Sequence, residues 1–239
     1  MLNRARACLG AAAAVVLTAA ASGAAVADAP TATIDVPDDF VAALSDTRAT
    51  GHYELTEDGG LRVWTEGTTS TDKVAEYVAT QTPLSAAGEP ALDYAPTSGS
   101  TPPGFQLVVD FDGDGSPDGI LVGEPTFYGS DWWLGNAAAA FVKSGAPVTG
   151  GGSGSTWHGT LDQWRAAFPD ADVLAFGFSL GSGVKGDGVI QSITFAGTTY
   201  AFGVVVGSAA ECKGGGWATS TAPTFRNQGD CVSAFARSR

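Results

Sequence analysis

Positive charge is scarce in this sequence. Lys and Arg together number 12 against 25 Asp and Glu, which gives a formal net charge of -13 at pH 7. Proteins that bind nucleic acid need a cationic surface to neutralise the phosphate groups. The charge balance therefore argues against nucleic acid as a partner.

Cysteine is equally scarce. The chain has 3 cysteines, and Cys8 lies in an N-terminal segment that we expect to be removed. Two remaining thiols, far from His52 and His158 in the sequence, exclude a Cys-rich metal site. An even pair of cysteines in an oxidising compartment is usually bridged. We therefore predict a disulfide between Cys212 and Cys231.

Long apolar runs are missing except near the N terminus. Arg4 and Arg6 precede a run rich in Ala, Val and Leu that ends in small residues, which indicates a secretory signal peptide at residues 1–27. A retained membrane anchor is the alternative, but Gly and Ser interrupt a run that would have to fill a span of about 20 residues. Removing two of the 12 basic residues and none of the 25 acidic ones leaves a net charge of -15. We predict a secreted protein, extracellular or associated with the cell wall, with no transmembrane segment after cleavage.

Glycine, small polar residues and aromatics are abundant, whereas charged residues make up only 15% of the chain. Turn-forming clusters recur at short intervals between segments with the alternation typical of strands. This pattern favours a mainly β fold, and we predict a jelly-roll or lectin-like β-sandwich with a few short helices. We expect the sandwich at residues 28–206, a disulfide-closed C-terminal tail at residues 207–239, and a monomer.

Local patterns predict individual elements. Turn residues separate β-rich segments at residues 52–65 and 190–206, which predicts two hairpins. Thr160 and Gln163 have the spacing of a capping box, which predicts a helix that ends near Phe168. Weaker signals predict two more short helices, at residues 40–44 and 72–80, and a Pro-rich loop at residues 82–104.

The most distinctive motif is an acidic loop at residues 110–119, with the sequence DFDGDGSPDG. Carboxylates at alternate positions in a glycine-rich turn supply the hard oxygen ligands that calcium requires. No Lys or Arg lies between residues 74 and 142 to neutralise these carboxylates. We therefore predict a Ca²⁺ site. Its predicted ligands are the side chains of Asp110, Asp112, Asp114 and Asp118 and the carbonyl oxygen of Ser116.

The same loop resembles the calcium hairpins of integrin-type propeller repeats, which have the form D-x-D-x-D-x-x-x-D followed by an apolar strand and Gly. The resemblance covers residues 109–123 and implies a metal-binding hairpin, although a single copy cannot build a propeller. An EF-hand is disfavoured because its twelfth position would be Leu121 instead of a bidentate Glu. The alternative to a metal site is an acidic turn that is simply solvated.

A short aromatic strand at residues 131–134 predicts a ligand-binding surface. Side chains alternate between the two faces of a strand, so Trp132 shares a face with Leu134, and Trp133 shares the other face with Asp131. We expect Trp132 in the core and Trp133 on the surface. An aromatic ring beside a hydrogen-bond acceptor suits the apolar face and the hydroxyls of a sugar. The predicted ligand-binding residues are Tyr128, Asp131, Trp133 and Trp157, with His158 beside them; the alternative is that these aromatics fill the core.

The C-terminal segment has the pattern C-K-x-G-G-W from Cys212, followed by F-x-N-Q-G-x-C-V-S, which contains Cys231. It resembles a tail found in a group of secreted actinobacterial proteins. The similarity extends to residues 110–124, 131–134 and 157–202. This resemblance implies secretion and a bridge between the two cysteines, and it supplies no active site.

These observations favour a binding or surface-interaction module over an enzyme. We predict a secreted, calcium-binding β-sandwich whose ligand is an extracellular or cell-wall carbohydrate. One alternative is a glycan-active hydrolase that uses paired carboxylates such as Glu124 and Asp131. Another is a structural protein of the cell envelope without a small ligand. The G-x-S-x-G pattern around Ser179 does not indicate a hydrolase, because the residues after it disfavour a helix and both histidines precede it.

Overall fold

The computed structural model describes residues 32–99, 101–149 and 155–236. The predicted signal peptide lies outside the described residues. Most of the regular structure in the described part is strand. The strands are β1 (Ala32–Asp35), β2 (Gly51–Leu55), β3 (Leu61–Thr65), β4 (Lys73–Pro83), β5 (Ala91–Gly99), β6 (Gly104–Asp110), β7 (Gly119–Gly123), β8 (Asp131–Leu134), β9 (His158–Thr160), β10 (Asp172–Gly181), β11 (Gly186–Phe195) and β12 (Thr198–Gly203).

The strands form two six-stranded sheets. The first sheet has the order β1-β12-β11-β3-β2, and β5 pairs with the other side of β11. The second sheet has the order β4-β10-β6-β7-β8-β9, and all its pairings are antiparallel. In the first sheet, β1 runs parallel to β12.

The main hydrophobic core lies between the two sheets. Phe176 of β10 stacks on Phe195 of β11 with ring centroids 4.4 Å apart, so a residue of each sheet meets in the interior. Buried side chains from both sheets join this core, among them Ile34, Leu61, Val74, Leu107, Leu121, Leu134, Phe178, Ile190 and Phe202. The predicted mainly β, two-sheet architecture is confirmed.

The predicted helix at residues 72–80 is wrong, because this segment belongs to β4. Residues 74–77 are all buried, including residues that point away from the main core. Leu44 packs on that outer side, against Ala75 and Tyr77. A strand that is covered on both faces lacks the simple alternation of apolar and polar residues. The β-branched and aromatic residues of this segment are then the features that favour a strand.

The predicted loop at residues 82–104 is also wrong in part, since it contains β5. Pro96 of this strand lies opposite Gly188, where the register of the β5–β11 pair shifts. Proline lacks an N–H group and is tolerated at such an edge position. The segment 40–44 forms turns instead of the predicted helix, and Phe40 makes an isolated bridge to Val78.

Three short helices lie between strands, and two more follow the last strand. They are α1 (Pro125–Tyr128), α2 (Ala140–Gly145), α3 (Leu161–Ala167), α4 (Gly216–Thr219) and α5 (Gln228–Ala236). The capping box predicted for α3 is confirmed, because the Thr160 hydroxyl accepts from the Gln163 N–H and the Gln163 side chain accepts from the Thr160 N–H.

The C-terminal segment forms a small cluster around the predicted disulfide. Cys212 and Cys231 are bridged and both are fully buried, with Trp217 packed beside them. The segment is held to the sandwich by the Thr221 N–H, which donates to Val204 O across 2.9 Å. The predicted bridge is therefore confirmed.

No helix within the described ranges has the length and apolar character needed to cross a membrane.

Candidate functional site

The acidic loop connects β6 to β7 and starts at Asp110, the last residue of β6. One carboxylate oxygen from each of Asp110, Asp112 and Asp118 lies within 4.8 Å of the other two. Because calcium–oxygen distances are about 2.4 Å, a single ion can contact three oxygens spaced in this way. The structure thus brings three of the five predicted ligands together.

Backbone N–H groups shape this loop around the Asp110 carboxylate. Its Oδ1 accepts from the Gly113 N–H at 2.8 Å, and its Oδ2 accepts from the Gly115 N–H at 2.7 Å. Both glycines have positive φ angles, 78° and 88°, which other residues rarely adopt. Burial acts to raise the pKa of Asp110, but these hydrogen bonds outweigh it and the pKa lies below its ordinary value. The loop is therefore built to hold this carboxyl ionised.

The other acidic side chains of the loop differ in their partners. Asp118 Oδ2 accepts from the Phe111 N–H at 2.8 Å, whereas Asp114 Oδ1 accepts from the Ser116 N–H at 2.8 Å. Asp114 contributes no oxygen to the three-carboxylate group found among the described residues. Burial, together with the charges of the neighbouring aspartates, raises the pKa of Asp112, although a hydrogen bond from the Asp114 N–H opposes the shift.

The loop fits a calcium ion on two counts. Its three clustered side chains offer only carboxylate oxygens, the ligand type that calcium prefers. None of the ion pairs formed by the described residues involves any of them, so no cationic side chain neutralises the group. Asp110, Asp112 and Asp118 are thus the residues that can hold the metal.

A second feature lies on the outer face of the second sheet, the face turned away from the main core. The strand registers place Tyr77, Gly177, Gln106, Val122 and Trp133 side by side, one from each of five adjacent strands. Residues directly opposite each other in antiparallel strands project to the same face. This row therefore runs across the sheet to the aromatic strand β8.

The two tryptophans of β8 point to opposite faces, as predicted. Trp132 is 7% exposed and packs edge-on against Phe105 in the core, with ring centroids 5.8 Å apart. Trp133 is half-buried on the outer face, and its ring stacks against Tyr128 at 6.1 Å. The Trp133 Nε1–H donates to Glu124 Oε2 across 2.8 Å. Burial raises the pKa of Glu124 above its ordinary value, and this hydrogen bond offsets only part of the increase.

Asp131 lies on the same strand but is engaged by other side chains. Its Oδ2 lies 2.8 Å from His158 Nδ1 and accepts from the Thr149 hydroxyl at 2.7 Å. Burial acts to raise the pKa of Asp131, but the hydrogen bonds from His158 and Thr149 outweigh it and lower the pKa. His158 is only 4% exposed, and its ring meets Tyr128 edge-on at 5.4 Å. The carboxylate beside Trp133 is therefore that of Glu124, whereas the Asp131 carboxylate is hydrogen-bonded to His158 and Thr149.

Trp157 has a different environment from Trp133. It packs against the main core, and Lys143 Nζ lies 5.2 Å from its ring centroid. The segment around it does reach the outer-face cluster, because the Ser155 N–H donates to Tyr128 Oη at 3.0 Å. Among the predicted ligand-binding residues, Tyr128, Asp131 and Trp133 thus come together with His158, while the ring of Trp157 lies against the core.

The prediction from sequence missed two polar residues of this face. Gln106 and Ser179 line a cleft of about 170 Å³ together with Glu124 and Trp133. Both interrupt strands that are otherwise apolar, residues 105–109 and 173–180. A polar side chain within such a strand is the signal that could have found them.

Comparisons with known proteins supply no family for this chain. A scan against protein-family models found no match, and searches of the curated proteins and of the solved structures found none either. The function of this chain must therefore be inferred from the geometry of its own residues.

Proposed function

We propose that this protein is a secreted carbohydrate-binding module whose ligand is an extracellular or cell-wall glycan. The observation that carries the proposal is the Trp133–Tyr128 ring pair on the outer face of the second sheet, with the Glu124 carboxylate bonded to the indole edge. A partly exposed aromatic ring can stack on the apolar face of a sugar, while an adjacent carboxylate accepts hydrogen bonds from its hydroxyls.

Calcium is the proposed cofactor of the acidic loop, through Asp110, Asp112 and Asp118. When bound, the ion would neutralise three carboxylates that otherwise repel one another. The chain's own part is to hold Asp110 in place by the Gly113 and Gly115 N–H groups, and Asp118 by the Phe111 N–H. We propose a stabilising role for the metal, with the ligand bound elsewhere on the sheet.

Secretion is supported by the predicted signal peptide at residues 1–27 and by the disulfide. A bridged pair of cysteines persists in oxidising compartments. The proposed module would act as a monomer, outside the cell or on its wall.

A glycan-active hydrolase is the second candidate, because two carboxyl groups lie beside the aromatic pair. Glu124 accepts from the Trp133 Nε1–H, and Asp131 contacts His158, whose ring meets Tyr128. The pKa shifts of the two groups agree in direction with this role. Burial raises the pKa of Glu124, whereas hydrogen bonds outweigh burial and lower the pKa of Asp131. Glycosidases need one carboxyl that stays protonated and one that stays ionised. Hydrolysis would be established if the wild-type protein released new reducing ends from a bound glycan and both Glu124→Gln and Asp131→Asn failed to release them. Unchanged glycan after prolonged incubation would exclude it.

A glycan array tests the binding proposal, with the mature protein applied in calcium and in chelator. We expect binding to at least one class of glycan, and Trp133→Ala should abolish it. Trp64→Ala is the matched control, because Trp64 lies on the other sheet with Arg62 and His52 against its ring. Absence of binding to every glycan by the wild-type protein would overturn the proposal, as would equal losses in the two variants.

A further inference from the structure

The cleft beside Trp133 is lined by a polar side chain from each of β10 and β6 and by one from the residue that follows β7. Ser179 of β10 lies opposite Gly104 of β6 in the sheet. Glu124 follows β7, and its side chain lies over Gly104, since a Cβ atom added there would come within 3.0 Å of Glu124 Cγ and 3.3 Å of Glu124 Oε1. A side chain at Gly104 would therefore crowd Glu124, which lines the same cleft as Ser179.

Gln106 is held at the next position of the floor. It is 9% exposed, and its Oε1 accepts a hydrogen bond from the Tyr77 hydroxyl. Gly177 lies between these two residues in the sheet, so no side chain separates them. This contact occupies the amide oxygen, which leaves the amide N–H₂ group as the free part of the side chain.

Three hydrogen-bonding groups of the cleft have no partner among the described residues. They are the amide nitrogen of Gln106, the hydroxyl of Ser179 and Oε1 of Glu124. None of these atoms is among the fully buried unpaired atoms of the described residues, and all three residues line the cleft. Buried or half-buried polar groups are normally paired, and an accessible set of one donor, one hydroxyl and one acceptor matches a ligand with several hydroxyls.

The negative charge of Glu124 in the cleft restricts the charge that a ligand can carry there. Lys73 also lines the cleft, but its Nζ pairs with Asp46 Oδ2 at 2.8 Å. The Glu124 carboxylate has no cationic partner among the ion pairs of the described residues. A ligand carboxylate placed here would face Glu124 at short range in a partly desolvated site, which is unfavourable.

We propose that this cleft is a subsite for one neutral sugar ring, with Gln106 and Ser179 as hydrogen-bonding residues and Glu124 as the residue that rejects acidic sugars. The inference rests on the proposed carbohydrate binding and names its substrate class. The Trp133 ring forms one wall, Glu124 Oε1 accepts from a sugar hydroxyl, and the Gln106 amide donates to a neighbouring one. Tyr77 is a positioning residue, because it fixes the orientation of the Gln106 amide.

Binding to immobilised monosaccharides tests the subsite, with glucose and galactose as neutral probes and glucuronic and galacturonic acid as their acidic counterparts. We expect the wild-type protein to bind at least one neutral sugar in preference to the matching acid. Ser179→Ala should weaken neutral binding by about 3- to 10-fold, the loss of one hydrogen bond. Ser144→Ala, at an exposed serine of α2, is the matched control and should bind like the wild type.

Glu124→Gln removes the charge and keeps an oxygen for the Trp133 N–H. This variant should lose most of the preference for neutral over acidic sugars, a readout that a purely structural role of Glu124 would not change. One set of results would overturn the subsite and leave the proposed function standing. In that case Trp133→Ala abolishes the binding of neutral sugars, Ser179→Ala does not affect it, and Glu124→Gln keeps the preference for neutral sugars. Failure of every sugar and every glycan to bind would overturn both.

Discussion

The indole N–H of Trp133 donates to the carboxylate of Glu124 across 2.8 Å. Trp133 belongs to β8 and Glu124 directly follows β7, and the two residues meet on the outer face of the second sheet. The bond fixes the tryptophan ring at its edge, so that the proposed sugar ligand would not have to restrict the orientation of the ring on stacking. Ordering a side chain before binding reduces the entropic cost of association.

The adjacent tryptophans of β8 should respond differently to truncation. Trp132→Ala should lower the free energy of unfolding by about 3 to 5 kcal/mol, because it leaves a cavity in the core. Trp133→Ala should lower it less, since Trp133 is half-buried outside the main core. Chemical denaturation of both variants measures the difference. Equal, severe destabilisation would contradict the proposed role of Trp133 as a surface platform.

Calcium should raise the thermal midpoint of the mature protein, and a chelator should lower it. At a free calcium concentration 100 times the Kd, linkage predicts about 2.7 kcal/mol of added stability. Asp112→Ala should remove most of this calcium-dependent gain, whereas Asp58→Ala, in the exposed turn between β2 and β3, should keep it. Titration calorimetry on all three proteins checks the assignment. No heat of calcium binding in the wild type would rule out the site.

The disulfide should stabilise the protein without being required for the sandwich. Replacing both Cys212 and Cys231 with Ser should lower the free energy of unfolding by about 3 kcal/mol, the value expected for a closed loop of this size. The main core includes no residue of the C-terminal cluster, so far-UV circular dichroism should keep its β signal. Mass spectrometry should find both thiols blocked to alkylation before reduction. Free thiols in the secreted protein would contradict the bridge.

Acid should destabilise the fold partly through Asp72. Hydrogen bonds from the side chains of Thr50 and Thr69 lower the pKa of Asp72 to about 2, from an ordinary value of 3.8. A carboxyl with a lowered pKa stabilises the folded state above its ordinary pKa and loses that contribution as the pH falls through the lowered one. Unfolding measured between pH 4 and pH 2 should therefore show a smaller loss of stability in Asp72→Asn than in the wild type. An unchanged pH dependence in the variant would show that Asp72 does not contribute.

Features that depend on neighbours in the chain were predictable from the sequence alone. The capping box at Thr160 needs only Gln163, three residues away, and the opposite faces of Trp132 and Trp133 follow from the geometry of any strand. The acidic loop brings Asp110, Asp112 and Asp118 together because its glycines allow the chain to turn back on itself. The bridge between Cys212 and Cys231 could be predicted because these are the only two cysteines after the expected signal peptide.

Features that depend on contacts between distant segments required the tertiary structure. Residues 72–80 have helix-compatible spacing, but pairing with β10 and cover from Leu44 make residues 73–83 a strand, in which residues 74–77 are buried on both faces. The pairing of Glu124 with Trp133 and the row from Tyr77 to Gln106 arise from strand order, which no local pattern encodes. Cross-strand neighbours can be far apart in the sequence, so the residues that form the candidate sugar subsite become adjacent only when the second sheet has assembled.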